Sequence, residues 1–161
     1  MSISRLPVSS ILTLCLGNIC RSPMAEGLLR ACFSEAGLDI RVDSAGTGGW
    51  HVGKPPDPRT IAAARRNGID IAALRARRLS PEDFRRFDLI LAMDADNHAT
   101  ALAMRPPDGT ADVHLFLDYA TGSRGDVPDP YYGGDDGFQA MFEMLDAAAA
   151  GLVLRLQAAS G

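Results

Sequence analysis

Apolar and polar positions along the chain follow two alternating rhythms, and the switches between them divide it into elements. Val8 to Leu14 is apolar and β-branched, as a buried parallel strand is. From Ser22 onward Met24, Ala25, Leu28, Leu29 and Cys32 recur at helical spacing and stop near Gly37. Ile40 to Asp43 reads as a second strand, and Gly46 to Pro58 as a loop rich in glycine and proline. Thr60 to Asn67 reads as a helix ended by Gly68. Ser80-Pro81-Glu82-Asp83 opens a short helix, with serine as N-cap and proline in the first position. A third strand over Phe87–Met93, a helix over Asp94–Met104 and a fourth strand over Val113–Leu117 follow. Asp118 to Gly134 reads as a loop, and Asp135 to Gln157 as a long helix rich in alanine and leucine. This alternation predicts an α/β protein: a parallel sheet with right-handed crossovers between two layers of helices. Ligands of such folds bind at the carboxyl ends of strands, which directs attention to the loop after the first strand.

That loop is Cys15-Leu16-Gly17-Asn18-Ile19-Cys20-Arg21-Ser22. A loop that ends at a helix start aims unpartnered backbone N–H groups inward, and the helix adds a positive field. Gly17 is expected to give the tight turn. Asn18 tolerates a left-handed conformation and can bond locally to hold it. Arg21 supplies a planar fork that fits two oxygens of a phosphate. Ser22 is expected to cap the helix or to donate a hydrogen bond to the sulfur. The same field favours thiolate over thiol, so a cradle that binds phosphate also activates Cys15 as a nucleophile. An isolated cysteine at a strand end is otherwise a core residue. The strand before this one, the Gly-Asn within the loop and the Ser-Pro after it argue for chemistry.

Composition narrows the partners. A chain of 161 residues suffices for one domain with a full core, taken here as 1–161 with residues 1–6 a flexible N-terminus. A net charge of −4 gives no basic footprint for nucleic acid. No apolar run reaches the roughly 18 residues that span a bilayer, so no membrane partner is expected. The N-terminal stretch, broken by Pro7 and serines, does not read as a signal peptide. Three cysteines make no disulfide framework, and a reducing cytoplasm is the expected location. His51, His98 and His114 lack metal-ligand spacing and read as surface or loop residues, so neither metal nor cofactor is expected.

The segment CLGNICRSPMAEG resembles the signature of the low-molecular-weight protein tyrosine phosphatases. Val42 to Thr47, Trp50 with Gly53-Lys54-Pro55-Pro56-Asp57-Pro58-Arg59, Phe87 to Asp94 and Asp129-Pro130-Tyr131-Tyr132-Gly133 resemble later segments of that family, in order. The resemblance implies a four-stranded sheet in the order 2-1-3-4. It implies that Cys15 forms a phosphocysteine, that residues 16–22 with Arg21 hold the phosphate, and that Asp129 is general acid and then base. It implies that Asn18, Ser22, Ser44 and Asn97 form a hydrogen-bond network beneath the cradle, with Asp94 a structural carboxylate. Ile19, Trp50, Tyr131 and Tyr132 would form the substrate rim. The apolar Ile19 favours phosphotyrosine over phosphoarginine, whose hydrolases carry a small polar residue there. Cys20 would be a reversible disulfide partner that shields Cys15, whereas Cys32 reads as core. Leu74 departs from the pattern, because many relatives carry histidine there. The implied partners are a phosphotyrosine protein and an oxyanion such as inorganic phosphate, acting on a monomer with weak self-association through the aromatic rim. Two alternatives share these residues in part: an arsenate reductase of the same fold, which needs cysteines downstream of Cys32, and a non-catalytic phosphotyrosine-binding module, which needs no acid.

Overall fold

A computed structural model describes residues 8–123, 125–131 and 133–160. The N-terminal stretch 1–6 and Tyr132, both singled out above, lie outside the described residues. Four parallel strands stand in the order β2-β1-β3-β4: β1 Ser10–Cys15, β2 Arg41–Gly46, β3 Leu89–Ala92 and β4 Asp112–Leu115. Strand β1 is buried throughout and lies between β2 and β3, with Cys15 beside Gly46 at its carboxyl end. Alternate side chains supply two cores. Ile11, Leu89 and Leu91 join one cluster, and Leu12, Leu14, Ile90 and Ala92 the other.

Helices cover both faces, as the alternation requires. On the first, α1 (Arg21–Ala36) and α6 (Asp135–Ser160) pack together, with α2 (Pro58–Arg66) and α5 (Phe116–Thr121) against α6. Phe33, Phe116 and Phe138 fill this core. On the second, α3 (Asp83–Arg86) and α4 (Ala95–Met104) bury Phe84 and Ala101.

Several boundaries differ from the sequence reading for local reasons. Strand β2 runs on to Gly46, because Ser44, Ala45 and Gly46 pair with Thr13, Leu14 and Cys15. Helix α2 starts at Pro58: Asp57 accepts a hydrogen bond from the Arg59 N–H (2.8 Å), and proline takes the first position. Helix α5 occupies residues expected to be strand end and loop, and it ends at Gly122 with a positive φ. Helix α3 begins at Asp83 rather than at a serine cap. There Asp83 is buried, accepting from the Ser80 N–H and from Arg77. Helix α6 is long and apolar enough on average, by length and composition, to cross a membrane, although Glu143 and Asp146 interrupt its apolar run. Its average conceals an amphipathic pattern, for Phe138, Met141, Leu145, Ala149, Leu152 and Leu156 are buried on one side.

Candidate active site

The loop between β1 and α1 is held from below by side chains. Cys15 Sγ and Ser22 Oγ lie 3.0 Å apart. The Asn18 amide donates to Ser22 Oγ (2.8 Å) and to Ser44 Oγ (2.9 Å), and Ser44 Oγ donates to Glu26 Oε1 (2.7 Å). Ser22 therefore spends its hydroxyl on this network; the cap position of α1 belongs to Cys20, which makes no side-chain cap bond. Asn18 is the only non-glycine among the described residues with a positive φ (58°), so the loop's left-handed turn sits there. Gly17 does not have a positive φ. Its missing side chain makes room for His51, since a Cβ would lie 3.0 Å from the imidazole. Gly46 is required by close approach, as a Cβ there would meet the Leu16 carbonyl at 2.8 Å.

Leu74 is partly buried against the core. The Arg77 backbone N–H donates to Asn18 Oδ1 (2.9 Å), so the asparagine oxygen is satisfied from three residues farther on. Asn97 does not join this network. Its backbone N–H donates to Asp94 Oδ1 (2.8 Å), and its amide nitrogen, oriented toward that carboxylate, donates at 2.9 Å.

Asp94 caps α4 and also holds Arg21, whose Nη1 donates to Asp94 Oδ2 (2.6 Å) and to the Val127 carbonyl (3.0 Å). Arg21 is buried, and its Nη2 stands 3.6 Å from Asp129 Oδ2. Burial works against its charge, but Cys15, Asp94 and Asp129 together hold the guanidinium above its ordinary value. Asp126, the neighbouring aspartate, accepts from the Ala95 N–H and serves α4 instead.

A cavity of about 430 Å³ opens over the loop, lined by Cys15, Leu16, Gly17, Ile19, Cys20, Arg21, Trp50, His51, Asp129 and Tyr131. It unites the expected nucleophile, arginine, acid and described rim residues. His51, read from the sequence as a surface or loop residue, does lie in a loop, and it also lines the cavity; its ring centroid is 6.4 Å from that of Tyr131. No spacing motif marks it, and only its position next to Trp50 hinted at the rim. Trp50 is 70% exposed. Cys20 is a free, buried thiol, and burial pushes it up to about 12, with Asp57, Cys15 and Asp129 adding to the effect. His98 and His114 lie apart, beside Asp118 and Asp126 in a second cavity. Among the described residues no group of three or more His, Cys, Asp or Glu is arranged to hold a metal ion.

A sheet in the order 2-1-3-4, with a cysteine and an arginine brought together on the loop after β1, defines the class as a parallel α/β protein with its site at the carboxyl end of a central strand. The chain belongs to the low molecular weight phosphotyrosine protein phosphatase family, which matches residues 10–160. It is 51% identical over 132 residues to the low molecular weight phosphotyrosine protein phosphatase of Schizosaccharomyces pombe, covering 80% of this chain and 84% of that protein. The crystal structure of YfkJ from Bacillus subtilis superposes with a TM-score of 0.85 at 40% identity, over 96% of this chain and 98% of that one. A protein tyrosine phosphatase from Entamoeba histolytica, with Hepes in its active site, gives a TM-score of 0.87 at 33% identity, over 95% and 99% of the two chains.

Proposed function

We propose that this protein hydrolyses phosphotyrosine monoesters through a phosphocysteine. The observation that carries the reading is that Cys15, Arg21 and Asp129 line one cavity, with the Asp129 carboxylate beside the guanidinium. The phosphate sits on Arg21 and the N-terminus of α1. The Cys15 thiolate attacks phosphorus, the bond from phosphorus to the tyrosyl oxygen breaks, and Asp129 gives its proton to that oxygen. In the second step the Asp129 carboxylate takes a proton from water, the oxygen attacks phosphorus, and the thiolate leaves with phosphate released. Arg21 and the loop amides carry the developing charge, so the reaction runs without added metal. Trp50 and Tyr131 present flat aromatic walls, and Ile19 an apolar side chain, to an aryl group. Cys20 is the resolving thiol: peroxide oxidises Cys15 to the sulfenic acid, and Cys20 displaces water to form the disulfide. The thiol chemistry suits a reducing cytoplasm, and a monomer is the working unit.

The test is phosphate release from a phosphotyrosine peptide in the presence of a chelator. Wild type should turn over, Cys15→Ser should fall to background, and Asp129→Asn should lose about 10²–10⁴-fold. Faster hydrolysis of a phosphoarginine peptide than of the phosphotyrosine peptide would sink the substrate assignment.

A further inference from the structure

Arg59 has no part in the chemistry above, yet its side chain reaches five separate groups. It follows Asp57 and Pro58 at the start of α2. Its Nε donates to Asp57 Oδ1 (3.1 Å) and its Nη2 to Asp57 Oδ2 (3.0 Å), a paired contact on the residue that caps the helix. The same Nη2 donates to the Tyr131 carbonyl (2.9 Å), and Nη1 to the Gly133 carbonyl (3.3 Å). The guanidinium carbon also lies 5.5 Å from the centroid of the Tyr131 ring and 4.5 Å from that of Phe138 on α6.

Both ends of this assembly lead to the reacting groups. At one end the Asp57 N–H donates to the Ile19 carbonyl (2.9 Å), inside the phosphate loop. At the other, the Tyr131 N–H donates to Asp129 Oδ1 (3.1 Å), so the residue whose carbonyl Arg59 grips also fixes the carboxylate. The connection Ile19–Asp57–Arg59–Tyr131–Asp129 joins the loop of the nucleophile to the loop of the acid, and three of its members, Ile19, Tyr131 and Asp129, line the cavity. A fixed cap at one end and two backbone carbonyls at the other need a planar fork of several donors, which a lysine cannot provide.

We infer that Arg59 is a positioning residue that holds the Asp129 loop at its working distance from the phosphate loop. The inference rests on Asp129 being the acid. A loop released from Arg59 leaves Asp129 displaced on average, and small displacements of a proton donor cost heavily in rate. The cost falls on the step that needs the proton and spares phosphate binding.

The experiment measures kcat/KM for aryl phosphates whose leaving phenols span a wide range of acidity, in wild type, Asp129→Asn, Arg59→Ala and Arg59→Lys. Inhibition by inorganic phosphate is measured alongside. Good leaving groups need no proton, whereas phenyl phosphate does. Arg59→Ala should lose about tenfold or more on phenyl phosphate and under about threefold on the most acidic phenol, with phosphate inhibition within about twofold of wild type. Arg59→Lys, which keeps the charge and loses the fork, should show the same selective loss to a smaller degree. It also reads the proposal if Arg59→Ala fails to fold. An equal loss on every substrate, or no loss, in both Arg59 variants while Asp129→Asn shows the steep dependence overturns the positioning role alone. A flat profile for Asp129→Asn overturns the acid assignment itself.

Discussion

Asn18 concentrates what single residues contribute to this site. It adopts φ 58° and also donates to both serines beneath the loop. Replacement by alanine adds about 1–2 kcal/mol of left-handed strain, removes both donated bonds and leaves the Arg77 N–H without its acceptor. Asn18→Ala should bind inorganic phosphate at least about tenfold more weakly in a calorimetric titration, and Asn18→Gly, free of the strain, should recover part of the loss. Cys20 makes a second case. Held up to about 12, it stays a thiol at neutral pH, so iodoacetamide should alkylate Cys15 first and phosphate should protect it. After peroxide treatment and thiol addition, wild type should regain more activity than Cys20→Ala. Equal recovery would remove the resolving role. Residue types at the cradle were legible because anion binding restricts them narrowly. The partners were not: whether Ser22 caps a helix or serves the sulfur, and whether His51 reaches Gly17, depends on contacts between segments distant in sequence.

At the scale of elements, β1, α1, β3 and α6 announce themselves by period and length, whereas α5 does not. Six residues that follow a strand without a break carry too little pattern to separate from it, and only Gly122 marks the end. The start of α2 was legible in principle, since Asp57-Pro58 is a cap followed by proline at the first position, but the apolar period begins later and hid it. That cap carries two loads, the α2 terminus and the carboxylate that orients Arg59. Asp57→Ala should therefore cost about 0.5–2 kcal/mol from the cap alone. In a domain of this size that lowers the unfolding midpoint by several degrees in scanning calorimetry, at about 2–4 °C per kcal/mol. The Arg59 variants should leave the midpoint closer to wild type, because the Arg59 N–H still meets the cap when its side chain is changed.

Across the whole molecule the cradle is the end of a hydrogen-bonded line through the fold, Cys15, Ser22, Asn18, Ser44 and Glu26, which an ion pair extends from Glu26 Oε2 to Arg30 Nη2 (2.5 Å). The line crosses between α1 and β2, so no single segment of sequence reveals it; the parallel pairing of β1 with β2 assembles it. Its buried member Glu26 carries a consequence for global stability. Burial raises its carboxyl above the ordinary value of 4.5, against the Ser44 hydrogen bond and the Arg30 charge. The folded state thus holds this proton more tightly than the unfolded chain does. The stability so gained is complete below 4.5 and is lost as the pH rises through the raised folded value. Glu26→Gln keeps an acceptor for Ser44 and cannot titrate. Wild type minus variant, from urea unfolding between pH 4 and 8, should be most favourable to wild type at the acid end, decline as Glu26 ionises, and then level off. A difference that instead grows with pH would show that the Arg30 pair outweighs burial, and would reverse the sign assigned to this carboxylate.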